Sequence, residues 1–297
     1  MANHTSFRVG GPADIFVEPS SVEQLLFIIE KATSLNIPVS LLGGGSNVLV
    51  SDRGIRGIVI SFSQFNNIEK LDSSVLVRAE CGVSMKSLTQ WCQKESIAGL
   101  QRFAGLPGTV GGAVFMNARC YDIAIADVFF SSLSLYYDGE RCRIENESFD
   151  ASQWSYKHSP FQERTGRDSL ELTAGTKIIL SADFRLSAGD SEEIQREMDK
   201  WILDREEKGH FKFPSAGSMF KNNRDFGKPS GLIIDEVGLR GFRIGDAQVA
   251  PWHGNIVINA GSAKSEDLRS LIEEVQRRVF AATGYNLEPE VVLAGDW

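Results

Sequence analysis

The sequence is poor in the residues that build metal centres and crosslinks, with four cysteines and four histidines among 297 residues. Cys81, Cys92, Cys120 and Cys142 show no CxxC spacing, and His4, His158, His210 and His253 are scattered. Neither a zinc site nor a disulfide framework is predicted, and four buried, reduced thiols are the expectation. Basic residues are outnumbered, 31 Lys and Arg against 39 Asp and Glu, giving a net charge of -8. A protein whose main partner is nucleic acid or an anionic membrane needs a basic footprint, and none is present. An anionic small molecule stays open, because a few cations can gather in one cleft. No apolar run approaches the length that spans a bilayer, and the opening MANHTSFRVGG lacks the basic stretch and apolar core of a secretory leader. A cytoplasmic monomer with no membrane or nucleic-acid partner is expected. A P-loop nucleotide enzyme is unsupported, since GxxxxGK[ST] is missing, and no repeat or low-complexity tract occurs.

What is there is the composition of a globular protein with a sizeable core, 42% hydrophobic and 24% charged. Its character changes past Phe62 and again around Ser187, which predicts three parts: 1–62, 63–186 and 187–297. In the first, a strand at Ile15 to Val17 precedes a helix whose Ser20 and Glu23 have the spacing of a capping box ahead of Leu25, Leu26, Ile28 and Ile29. Strands at Val39 to Leu42 and Ile58 to Phe62 follow, with the GGGSN segment between them. The middle part has an alternating strand from Val75 to Glu80 and a helix near Ser84 to Lys94. It then turns to strands, Leu133 to Tyr137 and Arg141 to Ile144 around the hairpin pair Asp138 and Gly139, and Lys177 to Leu186. The last part places Ile194, Met198, Trp201 and Ile202 on one face of a helix from Ser191 to Lys208. A second helix, Ser265 to Thr283, presents Leu268, Leu271, Ile272, Val275 and Val279, and Gly284 is set to end it. Between them lie a short helix near Leu232 to Val237 and strands at Phe242 to Val249 and Asn255 to Asn259. The fold class is α+β.

Two glycine-rich segments give the first hint of chemistry. LLGGGSNVLVSD sets Gly43, Gly44 and Gly45 directly after an apolar strand, where bare backbone amides can approach a diphosphate, and Ser46 and Asn47 add donors. A Rossmann fingerprint fails here, because Val48 and a β-branched run follow where a helix should open. Alone, a GGG triplet also fits a plain tight turn. The second segment, AGLPGTVGGAVFMNA, crowds Gly105, Pro107, Gly108, Thr109, Gly111, Gly112 and Ala113 together, with Pro107 stiffening the chain. Two such loops from different parts of a chain can grip a dinucleotide from opposite sides.

Seven segments in order, HTSFRVGGPAD, LGGGSNVLVSD, GLPGTVGGAVFMNA, YKHSPF, PSAGSMFKN, GLRGFRIGDAQV and LEPEV, resemble the enolpyruvoylglucosamine reductases. These form a family within the FAD-binding superfamily that includes vanillyl-alcohol oxidase. The resemblance implies a two-part FAD-binding region of that type, with the diphosphate on the two glycine loops, and a C-terminal domain that closes over a sugar nucleotide. It implies bound FAD, NADPH as reductant, and UDP-N-acetylglucosamine enolpyruvate as the substrate reduced to UDP-N-acetylmuramate for peptidoglycan synthesis. Ser218 then matches the proton donor and Glu290 the acidic residue beside the reacting carbon. Lys221 and Asn222 match positions that hold the diphosphate and sugar, and Tyr156, Lys157 and His253 join the substrate site. Without the resemblance, Ser218 reads as a turn residue and Lys221 and Asn222 as solvated loop residues. Glu288 fits a plain exposed glutamate.

The chain departs from the family pattern at Lys157, where an arginine is usual. Lysine keeps the charge and loses the planar fork that grips a carboxylate. Arg119 and Asp122 replace glycines in MNARCYD, and a surface pairing between the two is expected. Asn223 replaces a common proline, and the stretch Ala250 to Trp252 before His253 is atypical. No tyrosine occurs between Leu186 and Ser218, as in the shorter family type without a tyrosine-bearing lid, so closure falls to Tyr156 or the loop from His210 to Pro214. Family members commonly carry a segment ahead of the HTSFRVGG match, which leaves a truncated start as an open reading. The alternatives are a flavin oxidase or dehydrogenase acting on another substrate, and a weakly active nucleotide-binding paralogue.

Overall fold

The computed structural model describes residues 1–71, 75–162 and 170–297. The chain forms two compact units, one from Met1–Ala13, Gly45–Arg56 and Arg205–Trp297, the other from Asp14–Gly44 and Gly57–Asp204. Neither is a single stretch of sequence.

In the Asp14–Gly44 and Gly57–Asp204 unit, strand Val39–Leu42 runs parallel to Ile55–Ser61, with Val39 opposite Ile58 and Leu42 opposite Ser61, and Ala13–Val17 lies on the other edge of Ile55–Ser61. Helix Val22–Ser34 buries Leu25, Ile29 and Ala32, which fall one turn apart. Its cap lies one residue later than Ser20 and Glu23 suggest. Ser21 Oγ accepts from Gln24 N at 3.2 Å, and Gln24 Oε1 accepts from Ser20 N at 2.9 Å. Both pairs satisfy the capping-box spacing, and the phase of the buried face selects the second. A five-stranded antiparallel sheet follows in the order Cys142–Ser148, Phe129–Tyr137, Thr176–Arg185, Leu76–Glu80, Ile68–Lys70. The Asp138 turn is wider than a two-residue hairpin. Only Gly139 has positive φ, and the Asp138 carboxylate closes the loop by accepting from the amides of Glu140 and Arg141. Phe103, Phe161 and Phe184 are fully buried in this unit's core.

The unit holding both termini is built on the antiparallel sheet Ser215–Ser218, Ile256–Asn259, Ala247–Val249, Arg243–Ile244. The single strand expected from Phe242 to Val249 is broken into a hairpin at Gly245 and Asp246, where Asp246 accepts from Ser262 N and Arg243. Helix Ser265–Thr283 covers this sheet, and all five apolar side chains of its expected face are buried, with Gly284 in the left-handed C-terminal cap. Strand Val48–Val50 pairs in parallel with Val292–Ala294, Val48 opposite Val292. That pairing brings the end of the first glycine loop to the end of the chain. Among the described residues no helix is long and apolar enough to cross a membrane.

Candidate active site

Gly43 and Gly44 leave strand Val39–Leu42 and meet the second glycine segment. A Cβ on Gly44 would lie 2.7 Å from Gly108 Cα, and one on Gly43 would lie 3.2 Å from Thr109 Oγ1. Side chains are excluded where the two backbones touch. Thr109 Oγ1 is buried there without a hydrogen-bond partner, an arrangement that costs about 1–3 kcal/mol unless a ligand oxygen or donor fills it. Both observations fit a phosphate-bearing cofactor such as FAD. Part of the second segment is helical, Val110–Phe115, rather than loop. Gly111 faces Cys81, just past the end of strand Leu76–Glu80, where a Cβ would come 2.9 Å from Cys81 Cβ, and Ala113 is buried in the core. Gly105 and Gly108 take positive φ on either side of Pro107, which is exposed at the rim.

The loop divides after Gly44. Gly45 packs against the backbone of His4, and Ser6 N donates to Gly45 O at 3.0 Å. Ser46 O accepts from Ser6 Oγ at 3.4 Å. Asn47 Nδ2 donates to Glu290 O at 2.9 Å, and Asn47 O accepts from Val292 N at 2.9 Å.

Ser218 is exposed at the end of strand Ser215–Ser218. Opposite Ile258 to Ile256 this strand holds one extra residue, a bulge of the kind that re-aims a side chain. Gly217 provides it with φ +74, and nothing lies within 4 Å of where its Cβ would be, so the approach to Ser218 is open. Met219 and Phe220 beyond it are buried. Asn255 fixes them: its carbonyl accepts from Met219 N at 2.8 Å, while its amide accepts from Phe220 N at 2.9 Å and donates to Phe220 O at 2.8 Å. The segment 288–290 runs along the same backbone, with Glu290 N donating to Met219 O at 2.8 Å and Lys221 N to Glu288 O at 2.9 Å. Ser218, Glu290 and Lys221 therefore share one ribbon. The Lys221 ammonium, its side chain 13% exposed, pairs with Glu288. Glu288 is part of this ribbon rather than a bystander. Asn222 Oδ1 accepts from Ser230 N at 2.9 Å. His253 Nδ1 accepts from Asn255 N at 3.1 Å, and burial, with Arg240 nearby, holds its pKa below the usual histidine value. In the loop expected to contribute closure, Phe213 stacks on Trp252 with ring centroids 6.0 Å apart.

Tyr156 and Lys157 sit in the other unit, on a turn bridged from Ser155 to His158. Tyr156 is exposed, and Lys157 is half-buried with φ +57. The turn is anchored to the end of the glycine-rich helix. Asn117 Nδ2 donates to Ser155 O at 2.8 Å, while Ser159 Oγ and Gln162 Nε2 donate to Phe115 O at 2.7 and 2.6 Å. Lys157 thus hangs from the same element that forms half of the glycine cradle. The expected Arg119–Asp122 pairing takes another form: Arg119 donates to the carbonyls of Tyr121 and Asp122, and the Asp122 carboxylate pairs with Arg102, which lowers its pKa. Cys81, Cys92 and Cys120 are buried and outside any disulfide, whereas Cys142 is half-buried.

Asn255 and Gln162 escaped the sequence reading; Asn255 heads an apolar strand, the one signal that could have marked it, and Gln162 has no local pattern. Asn117 and Glu288 lie within the GLPGTVGGAVFMNA and LEPEV segments, where the resemblance assigns neither a role.

A family model described as FAD binding domain matches residues 13–144, and one described as the C-terminal domain of UDP-N-acetylenolpyruvoylglucosamine reductase matches residues 209–294. A UDP-N-acetylenolpyruvoylglucosamine reductase of Treponema denticola is 48% identical over 296 residues, covering 99% of this chain and 91% of its own. The enzyme of that name from Treponema pallidum is 44% identical over 329 residues, covering 100% and 92%. The crystal structure of the reductase from Thermus caldophilus superposes with a TM-score of 0.76 at 30% identity, covering 99% of this chain and 96% of that one.

Proposed function

The chain belongs to the UDP-N-acetylenolpyruvoylglucosamine reductase family, and from that membership we propose how its residues divide the reduction of UDP-N-acetylglucosamine enolpyruvate to UDP-N-acetylmuramate. It is an FAD-dependent oxidoreductase that uses NADPH and supplies a peptidoglycan precursor. Bound FAD would supply hydride chemistry, with NADPH as the source of the two electrons and the terminal vinyl carbon of the substrate as their destination. The chain's own residues do the rest. Gly43, Gly44, Gly108, Thr109 and Gly112 would hold the cofactor diphosphate, supported by the Cβ-free contact and the unpartnered Thr109 hydroxyl. Lys157 neutralises the substrate carboxylate, onto which negative charge spreads as the vinyl carbon is attacked. Ser218 Oγ gives its proton to the carbon bearing the ether oxygen, and Glu290 manages the charge and resupplies the proton. Lys221, Asn222, Tyr156 and His253 position the sugar nucleotide.

The observation that supports this assignment best is the backbone ribbon joining residues 218–221 to 288–290, since a proton donor and its acidic partner must share a rigid frame. We keep 1–62 and 63–186 as the FAD-binding parts and 187–297 as the substrate part, in a cytoplasmic monomer. Anaerobic stopped-flow mixing tests the reading. NADPH should bleach the protein-bound flavin, and the enolpyruvyl substrate should restore its absorbance. Colourless protein that takes up no FAD, or reduced flavin restored by oxygen and not by substrate, overturns it.

A further inference from the structure

The Glu290 peptide is gripped on both of its polar groups. Its N–H donates to Met219 O, the residue after Ser218, and its C=O accepts from Asn47 Nδ2 at 2.9 Å, across 243 positions of sequence. On its far side Asn47 O accepts from Val292 N, which starts the parallel pairing of Val48–Val50 with Val292–Ala294. Glu290 is thereby the middle link of a chain running from the Ser218 strand to the last residue of the GGGSN loop.

We propose that Asn47 is a positioning residue for Glu290, setting the carboxylate against the Ser218 strand through this amide-to-carbonyl bond. The proposal rests on the assignment of Glu290 given above. Backbone bonds to residues 219–221 hold Glu288 O and Glu290 N, and Gln276 holds Leu287 O, while the Glu290 carbonyl takes its donor from Asn47. Without the Asn47 amide one end of the Glu290 peptide loses its anchor, and a displacement of about 1 Å at a reacting group costs on the order of a hundredfold in rate. The sequence also offers Asn47 as a donor to the cofactor diphosphate; that role would show in cofactor affinity, whereas positioning of Glu290, to which its side-chain amide donates, would show in the reoxidation step.

The test uses the FAD-loaded protein with Asn47→Ala, and with Asn47→Asp, which keeps the shape but opposes an oxygen to the Glu290 carbonyl. Both variants should slow flavin reoxidation by the enolpyruvyl substrate ten- to a hundredfold on the order-of-magnitude scale above. Flavin reduction by NADPH should slow less than reoxidation does, and any fall in FAD affinity should be smaller than the fall in the reoxidation rate. Hydrogen exchange in a peptide covering 287–292 should speed up. In a double-mutant cycle with Glu290→Gln the Asn47 effect should vanish, because it acts through Glu290. An additive effect in that background, or a loss of FAD affinity matching the loss of rate, overturns the proposal alone. Glu290→Gln turning over at the parent rate overturns the assignment of Glu290, and this proposal with it.

Discussion

Lys157 stands on left-handed backbone, φ +57, a conformation that costs any residue with a Cβ roughly 1–2 kcal/mol. Arginine bears the same backbone cost there, so Lys157→Arg changes only the head group. Lys157→Met should lower kcat/KM for the enolpyruvyl substrate by on the order of a hundred- to a thousandfold, the loss typical of removing one charge-stabilising group, while Lys157→Arg stays within about tenfold of the parent or exceeds it; steady-state kinetics on both variants decides it. His253 makes a prediction about pH. Its folded pKa lies below the value of the unfolded chain, chiefly through burial, so the unfolded state binds the extra proton. Its contribution to stability is present above an unfolded pKa of about 6.5 and is lost as the pH falls toward the lower folded value. Urea unfolding between pH 5 and 8 should show that slope, and His253→Gln should flatten it. Burial raises the Cys142 thiol pKa to about 11 and that of Cys92 to about 12.

Helix Ser265–Thr283 and the bulged strand Ser215–Ser218 respond to substitution for different reasons. Leu271 is fully buried on the helix face, and Leu271→Ala should cost about 2–5 kcal/mol by leaving a cavity, measured from the urea midpoint. Gly217 has open space in place of a Cβ neighbour, so Gly217→Ala should cost only the backbone strain of positive φ, about 1–2 kcal/mol. It should slow turnover more than that loss of stability suggests, because the bulge aims Ser218. Periodicity explains why one element was legible and the other was not. Five apolar residues recurring over 19 positions specify a helix, its buried face and its end at Gly284. Phe242 to Val249 has a strand-like composition, and only its pairing with Ile256–Asn259 reveals the break at Gly245. The helix Val110–Phe115 begins in glycines of poor helix propensity, and it exists because Gly111 fits against Cys81.

At the scale of the molecule, each unit is closed by segments far apart in sequence. Val292–Ala294 supplies the parallel partner of Val48–Val50, so removing residues 290–297 should abolish folding of the unit that holds both termini, seen as lost far-UV dichroism and protease resistance. In the other unit the glycine cradle couples cofactor to stability: FAD at a hundredfold its Kd should stabilise the protein by about 2.7 kcal/mol. Gly44→Ala, which drives a methyl into Gly108, should erase that thermal shift. The α+β class, the long helices with their buried faces and two glycine segments able to grip a dinucleotide follow from the sequence by itself, because helical period and residue chemistry act within a few positions; the reductase roles of Ser218 and Glu290 follow only from the resemblance of seven ordered segments to a family. Tertiary structure alone decided that GGGSN divides between two units after Gly44, that Thr109 keeps an unpartnered hydroxyl in the cradle, that Asp122 answers to Arg102, and that Asn47 reaches Glu290. Those partners lie tens to hundreds of residues apart, and no local pattern encodes a bond whose two ends meet only when the sheets close.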